Sequence, residues 1–156
     1  MTRKILIAMD DSENAMRAVE YVAKSFKDDH QITLFNVVLD TPVICDMNSP
    51  SLTPLFVSQR DTFCSIEDQK KSLVNEALKK AKSLLIEKGF QEENLELKVV
   101  ENKKGAAKGI LEEASKGYDT IVMGRRGVSG IMDFFLGSIS QKVLQSAGDI
   151  SIVLVD

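Results

Sequence analysis

Short, unbroken apolar runs alternate along this chain with longer stretches in which apolar residues return every three or four positions. ILIAM (5–9) is such a run, the pattern of a strand covered on both faces. Asp11 and Ser12 can cap a helix after it, and Ala15, Ala18, Val19, Val22, Ala23 and Phe26 recur at helical spacing, predicting an amphipathic helix over 13–27. QITLFNVV (31–38) is a second strand. Leu73, Val74, Ala77, Leu78, Ala81, Leu84 and Leu85 predict a long helix over roughly 66–88 that stops at Gly89. NLELKVV (94–100) is a third strand, and Ala107, Ile110, Leu111 and Ala114 mark a helix ending at Lys116 and Gly117. DTIVM (119–123) is a fourth strand, Ile139 to Ala147 a further helix stopped by Gly148, and ISIVLV (150–155) a fifth strand.

Strand and helix alternate throughout, which implies crossover connections and an α/β fold: an open, mostly parallel sheet of five strands with helices on both faces. No internal repeat or shift of composition divides the chain, so residues 1–156 read as one domain. The exception to the periodicity is 39–65, which holds Pro42, Pro50 and Pro54 among Asn, Ser and Thr. It reads as a long loop insertion at about 40–65, a surface excursion or else a lid. Ligands of open α/β sheets sit beyond the carboxyl ends of the strands, where the winding reverses. Two such ends carry unusual residues here: Asp10 and Asp11 after the first strand, and Gly124 onward after the fourth.

The chain has 156 residues and a net charge of −3. An acidic surface of that kind argues against general binding to nucleic acid or to a lipid surface. No apolar run approaches the roughly 20 residues that cross a bilayer, and MTRKILIAMDDS reads as a first strand rather than a leader, since acidic residues interrupt it. The expectation is a cytoplasmic protein. Cys45 and Cys64 are the two cysteines; they imply no disulfide framework, and free thiols are expected, with a redox clip on a lid as the alternative.

The densest chemistry lies in GRRGVSGIMDFFLGS (124–138), between a strand and a helix. Gly124 ends the strand where a side chain would block a ligand or force a disfavoured φ, and Gly127 lets the backbone turn. Gly137 and Ser138 stand at the start of the last helix, whose first N–H groups and dipole favour an anion. Arg125 and Arg126 add local positive charge. Read alone, the glycines are turn punctuation first, and Ser138 with Gln141 forms an S-x-x-Q capping box that needs no ligand. The P-loop pattern and the G-x-G-x-x-G dinucleotide fingerprint are both missing. The centre of this loop, Ile131 to Leu136, is apolar and reads as packing on its own domain or as a partner surface. His30, the single histidine, reads as a surface turn residue, and no nucleophile–base arrangement or zinc spacing is legible.

Taken together, IVMGRRGVSGIMDFFLGSISQKVL and the opening ILIAMDDSENAMRAVEYVA resemble the universal stress protein family, in its ATP-binding branch, whose signature is G-x2-G-x9-G-[ST] after a strand. FNVV (35–38) and ISIVLV resemble that family's second and last strands. The resemblance implies strand order 3-2-1-4-5, a Rossmann-like arrangement of the adenine nucleotide alpha hydrolase type, with the first and fourth strands side by side. It implies that Ala8, Met9 and Asp10 border a nucleoside, with Asp10 near the ribose or a phosphate-bound Mg²⁺ or Mn²⁺. Val37 is implied to meet adenine through its backbone, and Met123 and Gly124 to lie beside ribose and phosphates. Gly127, Gly137, Ser138, Ile139 and Ser140 are implied to cradle the phosphates, with Arg126 or Ser129 reaching them. The ligand implied is ATP, or AMP. Asp11 stands where relatives often carry glycine, which adds negative charge beside a polyphosphate. The function implied is a nucleotide-dependent stress-response or signalling module with weak or no hydrolysis. The alternatives are a nucleotide-free dimeric scaffold and a slow metal-assisted ATPase. A homodimer through the edge strand Ile150 to Val155 is also implied, since an apolar edge is a pairing liability.

Overall fold

A computed structural model describes residues 1–38, 42–47, 49–125 and 136–156, with the backbone alone at 42 and 43. The elements run β1 (Lys4–Ala8), α1 (Glu13–Ser25), β2 (Gln31–Val38), α2 (Pro42–Cys45), α3 (Pro54–Glu87), β3 (Leu95–Glu101), α4 (Ala106–Ala114), β4 (Thr120–Gly124), α5 (Ser138–Ser146) and β5 (Ser151–Val155). All strand pairs are parallel and the order is β3-β2-β1-β4-β5. This is the expected sheet, and β1 lies at its centre, with Ile5, Leu6 and Ile7 fully buried. Alternate side chains of a strand point to opposite faces. Ile5 and Ile7 accordingly join Leu34, Val19, Val22, Leu78 and Leu85 in one core under α1 and α3. Leu6 joins Phe35, Ile110, Ile121 and Val143 in a second core under α4 and α5. The helix over 13–27 is shorter than its periodicity suggested. It ends at Ser25, where Phe26 turns extended as its N–H bonds to the Val22 carbonyl.

Helix α3 departs most from the sequence reading. It starts at Pro54, not near 66, and takes up much of the expected loop. Pro54 sits in the first turn, where its missing N–H costs nothing, and the Thr53 hydroxyl accepts from the Phe56 N–H at 3.2 Å. The front half escapes a periodicity search because its inward side carries Arg60, Cys64, Glu67 and Lys71, while its large apolar residues face outward. At the other end Gly89 has φ +102°, and the bonds Phe90 N–H to Leu85 O and Gly89 N–H to Ile86 O close the helix. Thirty-four residues make about 50 Å of helix. Only the last third, through Leu78, Ala81 and Leu85, is buried against the sheet.

Two further expectations are corrected. Cys45 and Cys64 form a disulfide, with Cα atoms 6.0 Å apart, rather than standing as free thiols. The pairing arises because α3 extends far enough forward to pass α2, which a loop over 54–65 would not. His30 is buried rather than exposed. Its Nδ1 accepts from the Arg3 N–H at 3.4 Å, its ring meets the edge of Phe26, and Asp29 lies 3.1 Å away. No helix among the described residues is long and apolar enough to cross a membrane.

One buried carboxylate ties the α4 layer to the sheet. Glu113, 4% exposed, takes Lys98 Nζ on Oε1 and Lys116 Nζ on Oε2, each at 2.8 Å. The Tyr118 hydroxyl lies 3.2 Å from the same Oε1 and 3.0 Å from Thr33 Oγ1. Burial pushes the Glu113 pKa up, but the hydrogen bonds from Lys116 and Lys98 outweigh it and hold the group below its ordinary value. A depressed carboxylate stabilises the fold above its unfolded-state pKa, and that contribution disappears as pH falls through the folded value. Glu113→Gln is therefore expected to cost about 1–3 kcal/mol at pH 7 in urea melts. The gap to the parent should close below the carboxylate range, where the parent is protonated too; a gap of equal size at both pH values would refute the charge as its cause.

Alkylation under denaturing conditions supplies a second check on the fold. Without reductant neither Cys45 nor Cys64 should react, and with reductant both should; labelling before reduction would contradict the 45–64 bridge.

Candidate functional site

β1 and β4 pair at the middle of the sheet, yet their chains leave in opposite directions, β1 into α1 on one face and β4 toward α5 on the other. A cavity of about 330 Å³ opens between the carboxyl ends of β1, β2 and β4. That is within the range of small-molecule sites. Ala8, Met9, Asp10, Val37, Met123, Gly124, Gly137, Ser138, Ile139 and Ser140 all line it. Ten positions singled out in the sequence, scattered from 8 to 140, thus meet at one place. Arg126, Gly127 and Ser129 lie outside the described residues, as does most of the apolar stretch 131–136.

Each wall has a local cause. The Asp10 carboxylate accepts from the Ser12 N–H at 2.8 Å, and the Ser12 hydroxyl accepts from the Ala15 N–H at 3.1 Å. This pair of caps turns the chain sharply out of β1 and leaves Asp10 at the rim. On β2, the Phe35 carbonyl faces β1, where it accepts from the Met9 N–H, while the Val38 carbonyl faces β3, where it accepts from Asn102. Val37, in phase with Phe35, presents its N–H and C=O on the β1 side, past the last β1–β2 partners Ala8 and Phe35. Its backbone edge opens on the cavity. From the α4 side, Gly109 lets the helix lie against Val37: a Cβ there would stand 2.7 Å from Val37 Cγ2.

Of the two reasons expected for Gly124, the disfavoured φ does not apply. Its φ is not positive; instead, an added Cβ would meet Asn14 Cβ at 2.8 Å and the Asn14 backbone carbon at 3.0 Å. The glycine lets the end of β4 close on the first turn of α1. Its carbonyl accepts from the buried Ser140 hydroxyl at 2.9 Å, which fixes the start of α5 over β4.

The start of α5 also differs from the capping-box reading. The helix begins at Ser138, Gly137 occupies the cap position in extended geometry, and no side chain caps it. The Gly137 N–H is drawn off to the Arg125 carbonyl at 2.9 Å. The first backbone bond of the helix runs from Gln141 N–H to Gly137 O. The amides of Ser138, Ile139 and Ser140 precede it, at the cavity wall, where a helix end favours an anion. Arg125 does not add its charge to the cavity lining. Its guanidinium pairs with Asp156 at 3.0 Å. His30 lies at the start of β2, at the amino-terminal end of the sheet, away from the cavity.

Sequence reasoning missed Ser12, Ala15, Phe35, Asn36, Ala106 and Ile110, which complete the lining. Asn36 had a signal: a lone amide within the apolar run LFNVV. It is 8% exposed, its Nδ2 donates to the Met9 carbonyl at 2.6 Å, and its Oδ1 has no partner among the described residues. It holds the end of β1 beside β2 after the strand pairing has stopped. No group of three or more His, Cys, Asp or Glu side chains placed to hold a metal ion occurs among the described residues. Among the described residues Asp10 is the one carboxylate that lines the cavity, and one of its oxygens accepts from the Ser12 N–H.

The comparisons with known proteins agree with the fold. The universal stress protein YxiE of Bacillus subtilis is 28% identical over 146 residues, covering 93% of each chain. The structure of the universal stress protein UspA from Lactobacillus plantarum superposes with a TM-score of 0.69 at 18% identity, over 99% of this chain and 97% of that one. A universal stress protein solved in complex with cAMP superposes with a TM-score of 0.61 at 17% identity, over 99% and 96%. The sequence pattern of the universal stress protein family matches residues 1–154. On that match, spanning all five strands, the chain belongs to the universal stress protein family.

Proposed function

We propose that the cavity binds an adenine nucleotide, ATP or AMP, with its phosphates on the amides at the start of α5. The observation that carries this reading is the uncapped helix end at Gly137–Ser140, which lines the same cavity as Asp10, with remaining walls that are largely apolar. Phosphates replace the missing cap: they accept from unpaired N–H groups and meet the positive end of the helix dipole. Ala8, Val37, Ile110 and Met123 make a slot for a flat base, and the open Val37 backbone edge matches a donor–acceptor pair on adenine. Asp10 serves the ribose hydroxyls. Arg126, Gly127 and Ser129 extend the phosphate cradle in this reading. The cAMP complex of a structural relative supports the ligand class.

A divalent metal, Mg²⁺ or Mn²⁺, would be held mainly by the phosphates, with the free oxygen of Asp10 as its protein contact; it would supply charge neutralisation beside Asp11. The protein then acts as a nucleotide-dependent stress-response module in the cytoplasm, with weak or no hydrolysis. A second copy pairs along β5, whose outer edge has no strand partner among the described residues and whose Ile152, Val153, Leu154 and Val155 are only half-buried.

Heat-denaturing the purified protein and separating the supernatant should release adenine nucleotide. Added ATP at about 100 times its Kd should raise stability by roughly 2.7 kcal/mol in thermal-shift experiments. Ser138→Asp places a carboxylate in the first turn of α5. It should leave the ligand-free protein as stable or about 0.3–1 kcal/mol more so, while lowering affinity for ATP and AMP at least tenfold and leaving affinity for adenosine unchanged. Equal loss for adenosine, or no loss for ATP, would sink the phosphate assignment. Absence of any nucleotide shift in the parent would leave a nucleotide-free scaffold.

A further inference from the structure

The front half of α3 is amphipathic in the wrong sense for its own core. Leu55, Phe56, Phe63, Ile66 and Leu73 are between 39% and 69% exposed, and helical spacing places them on one side. Arg60, Cys64, Glu67 and Lys71 occupy the side turned toward the rest of the molecule and are half-buried. Two apolar pairs stand seven residues apart, Phe56 with Phe63 and Ile66 with Leu73, while Lys70 and Gln59 take the remaining positions of the same two rows. That spacing is a seam for pairing with another helix.

We propose that this stripe is a contact surface for a second copy of the same chain, with the two α3 helices packed antiparallel. The spacing selects the occupant, because it is symmetric about the midpoint between Cys64 and Ser65. Phe56 and Leu73 are equidistant from that point, as are Phe63 and Ile66. Reversing one helix about it sets Phe56 beside Leu73 and Phe63 beside Ile66, as a two-fold contact requires. Charge placement selects the direction. Lys70 is the only charged residue within the stripe; an antiparallel partner sets it beside Gln59, whereas a parallel partner sets it against its own copy. The disulfide and a hydrogen bond from Arg60 to the Met47 carbonyl tie the preceding segment to α3, holding the front half in place while the stripe faces out. The nineteen residues from Leu55 to Leu73 give a contact about 28 Å long. Two such stripes bury on the order of 1,000 Å², the lower end of specific interfaces.

This surface is separate from β5 and from the nucleotide cavity, so its test is independent of both. Placing p-benzoylphenylalanine at Phe63 and irradiating should give a covalent dimer whose adduct maps by mass spectrometry to α3 of the second copy, around Ile66. The adduct should form with or without nucleotide. The double variant Phe63→Glu, Ile66→Glu removes no buried side chain, so its circular dichroism should match the parent. Its mass by light scattering should be half the parent's, whether the parent is a dimer or a tetramer. An adduct confined to one chain, an adduct mapped to β5, or an unchanged mass in the double variant would each overturn the proposal.

Discussion

Two parallel strands, β1 and β4, pair at the centre of the sheet and send their chains to helices on opposite faces, and the form of the rest of the molecule depends on that pairing. Being central, both strands must be apolar on both sides, and their unbroken runs of Ile, Leu, Val and Met satisfy this. Being oppositely connected, they leave a gap at their carboxyl ends that neither helix fills. A parallel α/β sheet gathers its ligand chemistry into such gaps. Here the gap holds a carboxylate at one rim and a bare helix start at the other.

The gap is kept to a useful size by close contacts rather than by cavities. Gly124 brings β4 against the first turn of α1, Gly109 brings α4 against Val37, and Ser140 fastens α5 to the Gly124 carbonyl. Each contact leaves no room for an added methyl or needs one particular hydroxyl. Asn36 adds a buried amide that braces β1 where the ladder has ended. An amide inside an apolar layer is costly unless it is paired. One of its two polar ends is paired, and the other borders the site.

Away from this centre, the molecule carries polar and apolar surface where an isolated domain would not. The buried Glu113 is matched by two lysines and a tyrosine and stabilises the sheet–helix seam. The front of α3 shows the reverse: apolar surface faces outward with nothing of its own chain covering it among the described residues. The outer edge of β5 is likewise unpaired among them. Both features face outward, while the cavity lies inside the sheet's carboxyl end.

Most of the fold was legible in the sequence, because a sheet buried on both faces writes itself as unbroken apolar runs. Strand order came only with the family resemblance, since local periodicity carries no information about which strands are neighbours. The residues of the candidate site were legible as types at sites of chain exit: a carboxylate after β1, glycines after β4. What the sequence alone determined was therefore the alternation of elements, the buried faces and the positions where helices must stop. Tertiary structure decided the rest, because each remaining feature depends on what stands opposite. Cys45 meets Cys64 only because α3 runs on to Pro54. His30 is buried because the Arg3 backbone and the Phe26 ring meet it. The start of α5 is bare only because Gly137, not Ser138, takes the cap position, its N–H already drawn to Arg125. Spacing along a chain records what each residue prefers; it does not record which partner arrives across the gap.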